Sequence, residues 1–281
     1  MVRGPRRPPE PRSRQQHGPR CPGPDPLPRL WILPARQCET GAVGLYCSVP
    51  SPAIVEMIGH AAFDFVILDT EHALVGDSEL AALLRAAEAA GLDALVRVPE
   101  GDHGAILRAL DAGAAGVVVP HVRRRADVDA AIRAARYFPD GMRSLGGGRA
   151  ADYGVGDPRD VIRRANAEVV LAVLIEDRDG VEAIEEILTG GGVDVVLPGP
   201  GDLSQSYGVP WETRHPLVRA AVEAIHEACR LHAVPFIPMT TNPEAHARWR
   251  AAGAKSFVLG DAQDLAARSI LDQRAMAEQP K

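Results

Sequence analysis

The feature that most restricts the fold of this chain is an alternation of short apolar segments with longer segments rich in Ala, Leu, Glu and Arg. It begins near residue 40 and continues towards the end of the 281 residues. The turns AAGLDALV, DAGAAGVVV and AAGAKSFVL repeat one pattern, in which a helix ends at Gly and a buried strand follows. A chain of alternating strands and helices predicts a parallel sheet covered by helices.

We predict eight strands, each followed by a helix. The strands are 42–47, 63–68, 94–98, 116–119, 169–175, 193–197, 235–238 and 256–259, and the helices are 52–60, 78–90, 104–111, 126–137, 180–188, 216–232, 243–252 and 262–277. Eight such units in about 240 residues are typical of a (β/α)8 TIM barrel. A doubly wound open sheet is the alternative, but no GxGxxG or GxxxxGK[ST] motif follows the first strand, which disfavours its nucleotide-binding forms. The link 138–168 is long enough to predict a functional loop.

The first 37 residues differ in composition from the rest. They hold eight Arg, two acids and ten of the 24 Pro, for a net charge of +6, whereas the whole chain carries −6 and 38–281 therefore carries −12. We predict a disordered Pro/Arg-rich extension over 1–37 and one barrel domain over 38–281. We do not expect this extension to bind nucleic acid, because Trp31 is its only aromatic residue and the rest of the chain is acidic.

The lack of a recognisable targeting signal and the spacing of the cysteines predict a cytoplasmic protein. The chain has neither the apolar segment of a signal peptide nor a membrane-spanning apolar run, so we expect no membrane association. Its four cysteines lack CxxC spacing and fit free thiols in a reducing compartment.

Polar residues collect at the predicted carboxyl ends of the strands, where the chemistry of such barrels takes place. They are Asp69, Glu71 and His72 after strand 2, Arg97 in strand 3, His121 after strand 4, Glu176 and Asp177 after strand 5, and the GPGDLS turn after strand 6. The opposite ends carry mostly Gly and Ala. This asymmetry predicts one active site.

Residue chemistry suggests a role for several of these side chains. Glu176 and Asp202 on neighbouring strand ends would suit a hard cation such as Mg²⁺ or Mn²⁺, although each could instead cap a loop or pair with Arg. Arg97 could bind a carboxylate or form a structural salt bridge. His72 could be a general base oriented by Asp69. The Pro200–Gly201–Asp202 turn could bind an anion through its amides, or be an ordinary tight turn.

The lysine count restricts the mechanism. Of the 31 Lys and Arg residues only Lys255 and Lys281 are lysines. Lys281 is the terminus, and Lys255 precedes strand 8 at the rim opposite the predicted site. Schiff-base aldol chemistry needs an interior lysine and is therefore disfavoured, so that a metal must stabilise any enolate.

Six segments resemble the HpcH/HpaI aldolase family: FDFVILDTEHA, LVRVPEGD, ILRALDAGAAGVVVPHV, RYFPDGMRSLG, VLIED and VLPGPGDLSQSYG. They are collinear over roughly residues 40–262, and DTEH and GPGDLS are the most specific. The resemblance implies a TIM barrel of the phosphoenolpyruvate/pyruvate type and a homo-oligomer, a trimer or hexamer, with the last helix exchanged between subunits. It also implies a metal-dependent lyase that reversibly cleaves a 4-hydroxy-2-oxoacid to pyruvate and an aldehyde through a metal-stabilised pyruvate enolate.

The resemblance also assigns roles to single residues. Glu176 and Asp202 would bind the divalent metal, expected to be Mg²⁺ with Mn²⁺ or Co²⁺ as alternatives, and no organic cofactor is implied. Arg97, with the turn at Pro200, Gly201 and Asp202, would bind the substrate. His72 and Asp69 would drive proton transfer through a metal-bound water. Asp111 would support the site of a neighbouring subunit.

Departures from the family pattern lie near the substrate pocket. They are Pro198, Gly201, Asp177 and the short segment LGGGRAADYG. They leave the aldehyde partner open. The alternatives are an oxaloacetate decarboxylase or synthase of the macrophomate synthase type, a citrate-lyase-type CoA ester lyase, and a non-catalytic binding barrel.

Overall fold

The computed structural model describes residues 41–277. The predicted extension 1–37 lies outside these residues, as do Cys21 and Cys38. The strands are β1 Val43–Cys47, β2 Phe65–Asp69, β3 Asp93–Arg97, β4 Gly116–Val119, β5 Val170–Ile175, β6 Val195–Pro198 and β7 Phe257–Asp261. These seven form one parallel, curled sheet in the order β6-β5-β4-β3-β2-β1-β7. The predicted α/β class with a parallel sheet is confirmed.

Helices follow the strands along the chain. They are α1 Pro52–His60, α2 Asp77–Ala89, α3 His103–Ala112, α4 Arg125–Ala135, α5 Pro158–Glu168, α6 Arg178–Glu182, α7 Ile184–Thr189, α8 Pro200–Ser206, α9 Pro216–Leu231, α10 Pro243–Ala251 and α11 Ala262–Met276, with a 3₁₀ helix at Arg149–Gly154. Several begin with Pro at their first position, where the missing N–H costs no hydrogen bond. No helix within 41–277 is both long and apolar enough to cross a bilayer.

The segment predicted as the strand 235–238 forms only single parallel bridges. Phe236 pairs with Val196 of β6, and Met239 pairs with Val258 of β7. Pro235 and Pro238 have no N–H to donate, so a continuous ladder cannot form here. Their carbonyls still accept hydrogen bonds, from the Val196 amide at 2.9 Å and the Val258 amide at 3.1 Å. The segment therefore lies between the two end strands of the sheet.

Two other predictions of secondary structure need correction. The single helix predicted over 180–188 is two short helices, α6 and α7, divided at Ala183, whose backbone is not helical. The link 138–168, predicted as a loop, contains the 3₁₀ helix and α5. Helix α5 begins where the Asp157 side chain accepts a hydrogen bond from the Arg159 amide and Pro158 occupies the first position.

The sheet is buried on both faces, which is why its strands are apolar throughout. Val66 and Leu68 of β2 belong to one apolar cluster that includes helix residues, while Phe65 and Ile67 belong to a second cluster made mostly of strand side chains. Gly44 makes room for this second cluster, since a Cβ atom there would lie 2.2 Å from the Phe65 ring. The second cluster includes Tyr46 and therefore forms the floor of the cavity described next.

Candidate functional site

Arg97 and Asp69 form a buried ion pair at the carboxyl ends of two adjacent strands. They are the last residues of β3 and β2 and are paired in the sheet register. Arg97 Nε donates to Asp69 Oδ1 at 3.0 Å, and Arg97 Nη2 donates to Oδ2 at 2.7 Å. Asp69 is 1% exposed and the Arg97 side chain 12%. This two-pronged contact holds the guanidinium in one orientation.

Burial raises the pKa of Asp69, but the hydrogen bond and charge of Arg97 outweigh burial, so the pKa lies below its usual value. The pKa of Arg97 is raised: burial lowers it, and the bond to Asp69 more than compensates. The Arg97 guanidinium also stacks over the Tyr46 ring at 5.1 Å. Both charges of the pair therefore persist at neutral pH.

Glu71 is a largely buried carboxylate beside this pair. Its Oε2 atom lies 3.6 Å from Arg97 Nε and accepts no hydrogen bond within the described residues. Burial raises the pKa of Glu71 above its usual value, while Arg97 lowers it. Glu71 is part of the DTEH motif, but the sequence does not show which side chains of this motif point into the protein where the strand ends.

Glu176 directly follows β5 and is 2% exposed. Its Oε1 atom accepts a hydrogen bond from the His121 amide at 2.9 Å. Burial raises the pKa of Glu176 to about 7; the His121 contact lowers it, and the charges of Asp202 and Glu71 raise it further. The His121 ring contacts Asp177, with 2.9 Å between Nδ1 and Oδ2. Glu176 is therefore an acidic group that a nearby positive charge would return to its anionic form.

The GPGDLS turn places Asp202 close to Glu176. Gly199 follows β6, and its amide donates to the Ile175 carbonyl at 3.0 Å. A Cβ atom at Gly199 would lie 2.5 Å from Glu176 Oε2, so only Gly leaves room for this carboxylate. Helix α8 begins at Pro200 and carries Asp202 in its first turn.

His72 lies beside the site rather than within it. Its side chain is 60% exposed, and its Nε2 atom is 4.0 Å from Glu71 Oε2. Asp69 accepts a hydrogen bond from the His72 backbone amide at 3.3 Å, not from the imidazole. The structure thus does not bring the Asp69 carboxylate to the His72 ring, as the orienting role predicted from the sequence requires.

Asp111 lies apart from these residues, near the end of α3. Its Oδ1 atom accepts a hydrogen bond from Arg143 Nη2 at 2.6 Å. The Arg143 side chain is buried and stacks over the Tyr137 ring. Asp111 does not line the cavity of its own chain, in agreement with its predicted position away from its own rim.

A cavity of about 770 Å³ brings most of the predicted site residues together. Its lining includes five of them, Arg97, Glu176, Pro200, Gly201 and Asp202. His72, Asp69 and Asp111 are outside the lining, with Asp69 held behind Arg97. The sequence did not predict that Tyr46 lines the cavity, or that Trp211, Thr213, Arg214 and Arg219 do, because a loop sequence does not show which side chains face a cavity.

Two carboxylates are available for a metal ion. Within residues 41–277 no group of three or more His, Cys, Asp or Glu side chains is arranged as a metal site. Glu176 and Asp202 nevertheless share the cavity, and the charge of Asp202 adds to the burial that raises the pKa of Glu176, an effect that a divalent cation would relieve. An all-oxygen pair with room for further oxygen ligands fits Mg²⁺ or Mn²⁺.

The chain is similar to a known family over most of its length. The family model described as HpcH/HpaI aldolase/citrate lyase matches residues 42–266. A hydroxypyruvate/pyruvate aldolase of Sagittula stellata is 36% identical over 197 residues, which cover 70% of this chain and 77% of that protein. A 5-keto-4-deoxy-D-glucarate aldolase of Klebsiella pneumoniae is 30% identical over 212 residues, covering 74% and 82%.

Solved structures show the same fold. A crystal structure of citrate synthase SbnG has a TM-score of 0.80 and 36% identity, covering 86% of this chain and 94% of that one. Macrophomate synthase has a TM-score of 0.75 and 25% identity, covering 87% and 88%.

Proposed function

This chain belongs to the HpcH/HpaI aldolase/citrate lyase family and is a carbon–carbon lyase, and we propose that it reversibly cleaves a 4-hydroxy-2-oxoacid to pyruvate and an aldehyde with the help of a divalent cation. The observation that carries the proposal is the shared cavity, in which Arg97, fixed by Asp69, lies with the carboxylates Glu176 and Asp202.

We also propose that the sheet closes into a TIM barrel. The bridges of Phe236 to β6 and Met239 to β7 would make residues 236–239 an irregular eighth strand between the two ends of the sheet. Closure places all strand ends around one mouth, which is where such barrels carry their chemistry. The polar rim predicted from the sequence would then be a ring around the cavity.

In the proposed reaction Arg97 binds the pyruvyl end of the substrate. Its guanidinium is planar and charged at every accessible pH, so it can bind a carboxylate or a keto oxygen through parallel N–H bonds. Asp69 is a positioning residue, since it holds Arg97 through Nε and Nη2. The apolar floor beneath the cavity lowers the local dielectric and strengthens this contact.

Cleavage starts when a base removes the proton of the C4 hydroxyl group. The C3–C4 bond breaks, its electron pair passes to the pyruvyl fragment as an enolate, and C4 leaves as an aldehyde. A proton is then delivered to C3, which gives pyruvate. His72 remains our proposed proton carrier, and Glu71 beside it is a second acid–base group within 4.0 Å of the His72 ring.

Glu176 and Asp202 are the residues that would hold the cation. When bound, a divalent cation supplies Lewis acidity that stabilises negative charge developing on a 2-oxoacid. Gly199 leaves room for the Glu176 carboxylate, and the His121 amide fixes its Oε1 atom.

The test is carbon–carbon bond formation from pyruvate and a panel of aldehydes with Mg²⁺, Mn²⁺ or Co²⁺, before and after chelation. We expect chelation to abolish product formation and added metal to restore it. Undiminished activity in metal-stripped protein would contradict the proposal.

A second candidate reaction is decarboxylation of oxaloacetate, with addition of the resulting enolate to a second partner. The similarity to a structure named macrophomate synthase favours it. Comparing oxaloacetate decarboxylation with aldol cleavage on one preparation separates the two reactions.

We further propose a cytoplasmic homo-oligomer, a trimer or hexamer. Helix α11 has no buried residue in the single chain and exposes Leu265, Ile270 and Leu271, which a second copy would cover. Cys47 and Cys229 are buried free thiols, as a reducing compartment allows. Light scattering of the purified protein tests the assembly.

A further inference from the structure

The cavity extends well beyond the space needed for pyruvate. Its volume of about 770 Å³ is in the range of pockets that bind whole drug-sized ligands, on the order of 300–1,000 Å³. Beyond Gly201 its wall is formed by Trp211, Thr213 and Arg214 of the loop before α9 and by Arg219 in the first turn of α9. We call these four residues the outer wall. An aldehyde joined to pyruvate has this space to occupy.

The outer wall contributes two arginines with no acidic partner in the described part of the chain. Neither Arg214 nor Arg219 forms an ion pair or a side-chain hydrogen bond with any residue in 41–277. The other two arginines of the same cavity are engaged. Arg97 is held by Asp69, while Arg248 Nη2 is 2.7 Å from Glu223 Oε1 and the Arg248 guanidinium stacks over Trp249. Two of the four guanidinium groups that line the described cavity therefore remain available to a ligand.

The other acids of the cavity do not neutralise these two arginines. Glu244 lies in the first turn of α10 and Asp264 in the first turn of α11, where the positive end of each helix stabilises a carboxylate. Asp261, which directly precedes α11, accepts hydrogen bonds from Ser48 Oγ and from the Gln263 amide. None of these three acids is paired with Arg214 or Arg219. Both arginines also lie at the start of α9, a 16-residue helix whose amino end adds positive potential.

The outer wall is tied to the turn that carries Asp202. Trp211 has a backbone φ of 66°, an unusual conformation for a bulky residue, and its amide donates to Ser204 Oγ at 2.8 Å. Ser204 is fully buried, and its hydroxyl donates to the Gly201 carbonyl at 2.5 Å. These bonds fix the start of the outer wall relative to the proposed metal ligand.

We propose that Arg214 and Arg219 select an aldehyde that carries an anionic group, a carboxylate or a phosphate, at the end remote from its carbonyl. Guanidinium groups bind both anions through paired N–H bonds. This inference rests on the proposed aldolase function and names the class of its second substrate.

The experiment uses two matched pairs of aldehydes with pyruvate and Mn²⁺: glyceraldehyde 3-phosphate against glyceraldehyde, and succinic semialdehyde against butanal. The wild type should prefer the anionic member of at least one pair by about tenfold or more in kcat/KM, since hydrogen bonds to charged groups contribute about 1.5–3 kcal/mol. The pair that shows the preference identifies the anion. In R214Q and R219Q this preference should fall about tenfold.

R250Q is the control, because Arg250 is exposed on α10 and does not line the cavity. It should keep the wild-type preference. No preference in either pair, or a preference that persists in both R214Q and R219Q, would overturn the inference. Exchange of the pyruvate methyl protons in D₂O needs the enolate but no aldehyde. If the methyl protons exchange but no anionic aldehyde is preferred, only the role of the two arginines is refuted. If the methyl protons do not exchange and no aldehyde is added to pyruvate, the aldolase proposal is refuted as well.

Discussion

Replacing Asp69 by Asn removes the negative charge from a buried pair while preserving its volume. Both partners are nearly inaccessible to water, and Arg97 contacts both carboxylate oxygens. Removing one partner of a buried ion pair costs about 3–5 kcal/mol. Glu71 lies 3.6 Å from Arg97 Nε and offers a second negative charge, so we expect the lower end, about 3 kcal/mol.

The assay is urea unfolding of the metal-free protein, followed by circular dichroism, with thermal unfolding as a second measure. A loss of about 3 kcal/mol corresponds to a fall in Tm of roughly 6–12 °C in a domain of this size. The matched control is Asp160→Asn, whose partner Arg163 is 80% exposed, and it should change stability little. Equal unfolding midpoints for wild type and Asp69→Asn at pH 7 would refute the reasoning.

The same pair sets a pH dependence. Arg97 holds the pKa of Asp69 below its usual value, despite burial. The stabilisation is therefore complete above the unfolded pKa of about 4 and is lost as the pH falls through the lower folded pKa. The difference in stability between wild type and Asp69→Asn should be constant near neutral pH and shrink in acid.

Three further changes test other parts of the site. Glu176→Gln should weaken Mn²⁺ binding in calorimetry and reduce cleavage at least a hundredfold, and unchanged affinity would exclude Glu176 as a ligand. Gly199→Ala should displace the Glu176 carboxylate, since the new Cβ would lie 2.5 Å from Oε2, and lower kcat by tenfold or more with the fold retained in circular dichroism. Lys255→Ala should leave turnover unchanged, and covalent trapping of pyruvate at Lys255 by borohydride would instead establish a Schiff base.

The pattern of apolar residues in the sequence predicted the strands and helices that are buried in a regular way. The strands near Phe65 and Val170 lie where the sequence places them, because buried parallel strands are continuous apolar runs. The segment at Pro235 also has the apolar pattern of a strand, but it forms only single bridges because Pro235 and Pro238 have no N–H to donate. A prediction from hydrophobicity alone takes no account of hydrogen-bond donors. The helix predicted over 180–188 divides at Ala183, where no Pro or Gly signals an interruption.

The sequence predicted where the residues of the candidate site lie in the fold, but not which partners their side chains contact. The strand ends identified Arg97, Glu176 and Asp202, since the carboxyl edge of a parallel sheet places them together. The partner of Asp69 was not predicted: its neighbour across the sheet, Arg97, is 28 residues away, whereas His72 is three residues away. Proximity in sequence favoured a contact between Asp69 and His72, whereas the register of β2 against β3 places Arg97 beside Asp69.

The position of Trp211 gives the protein a built-in optical reporter. Its indole is 86% exposed at the cavity wall, while Trp249 is 8% exposed and packed against Phe236. A ligand that enters beside the exposed indole should shift or quench the long-wavelength part of the emission. Trp249 also borders the cavity, but its enclosed indole should shift to longer wavelengths only when the body unfolds. With Trp31 replaced by Phe, one fluorescence spectrum can thus separate occupancy of the cavity from loss of the fold.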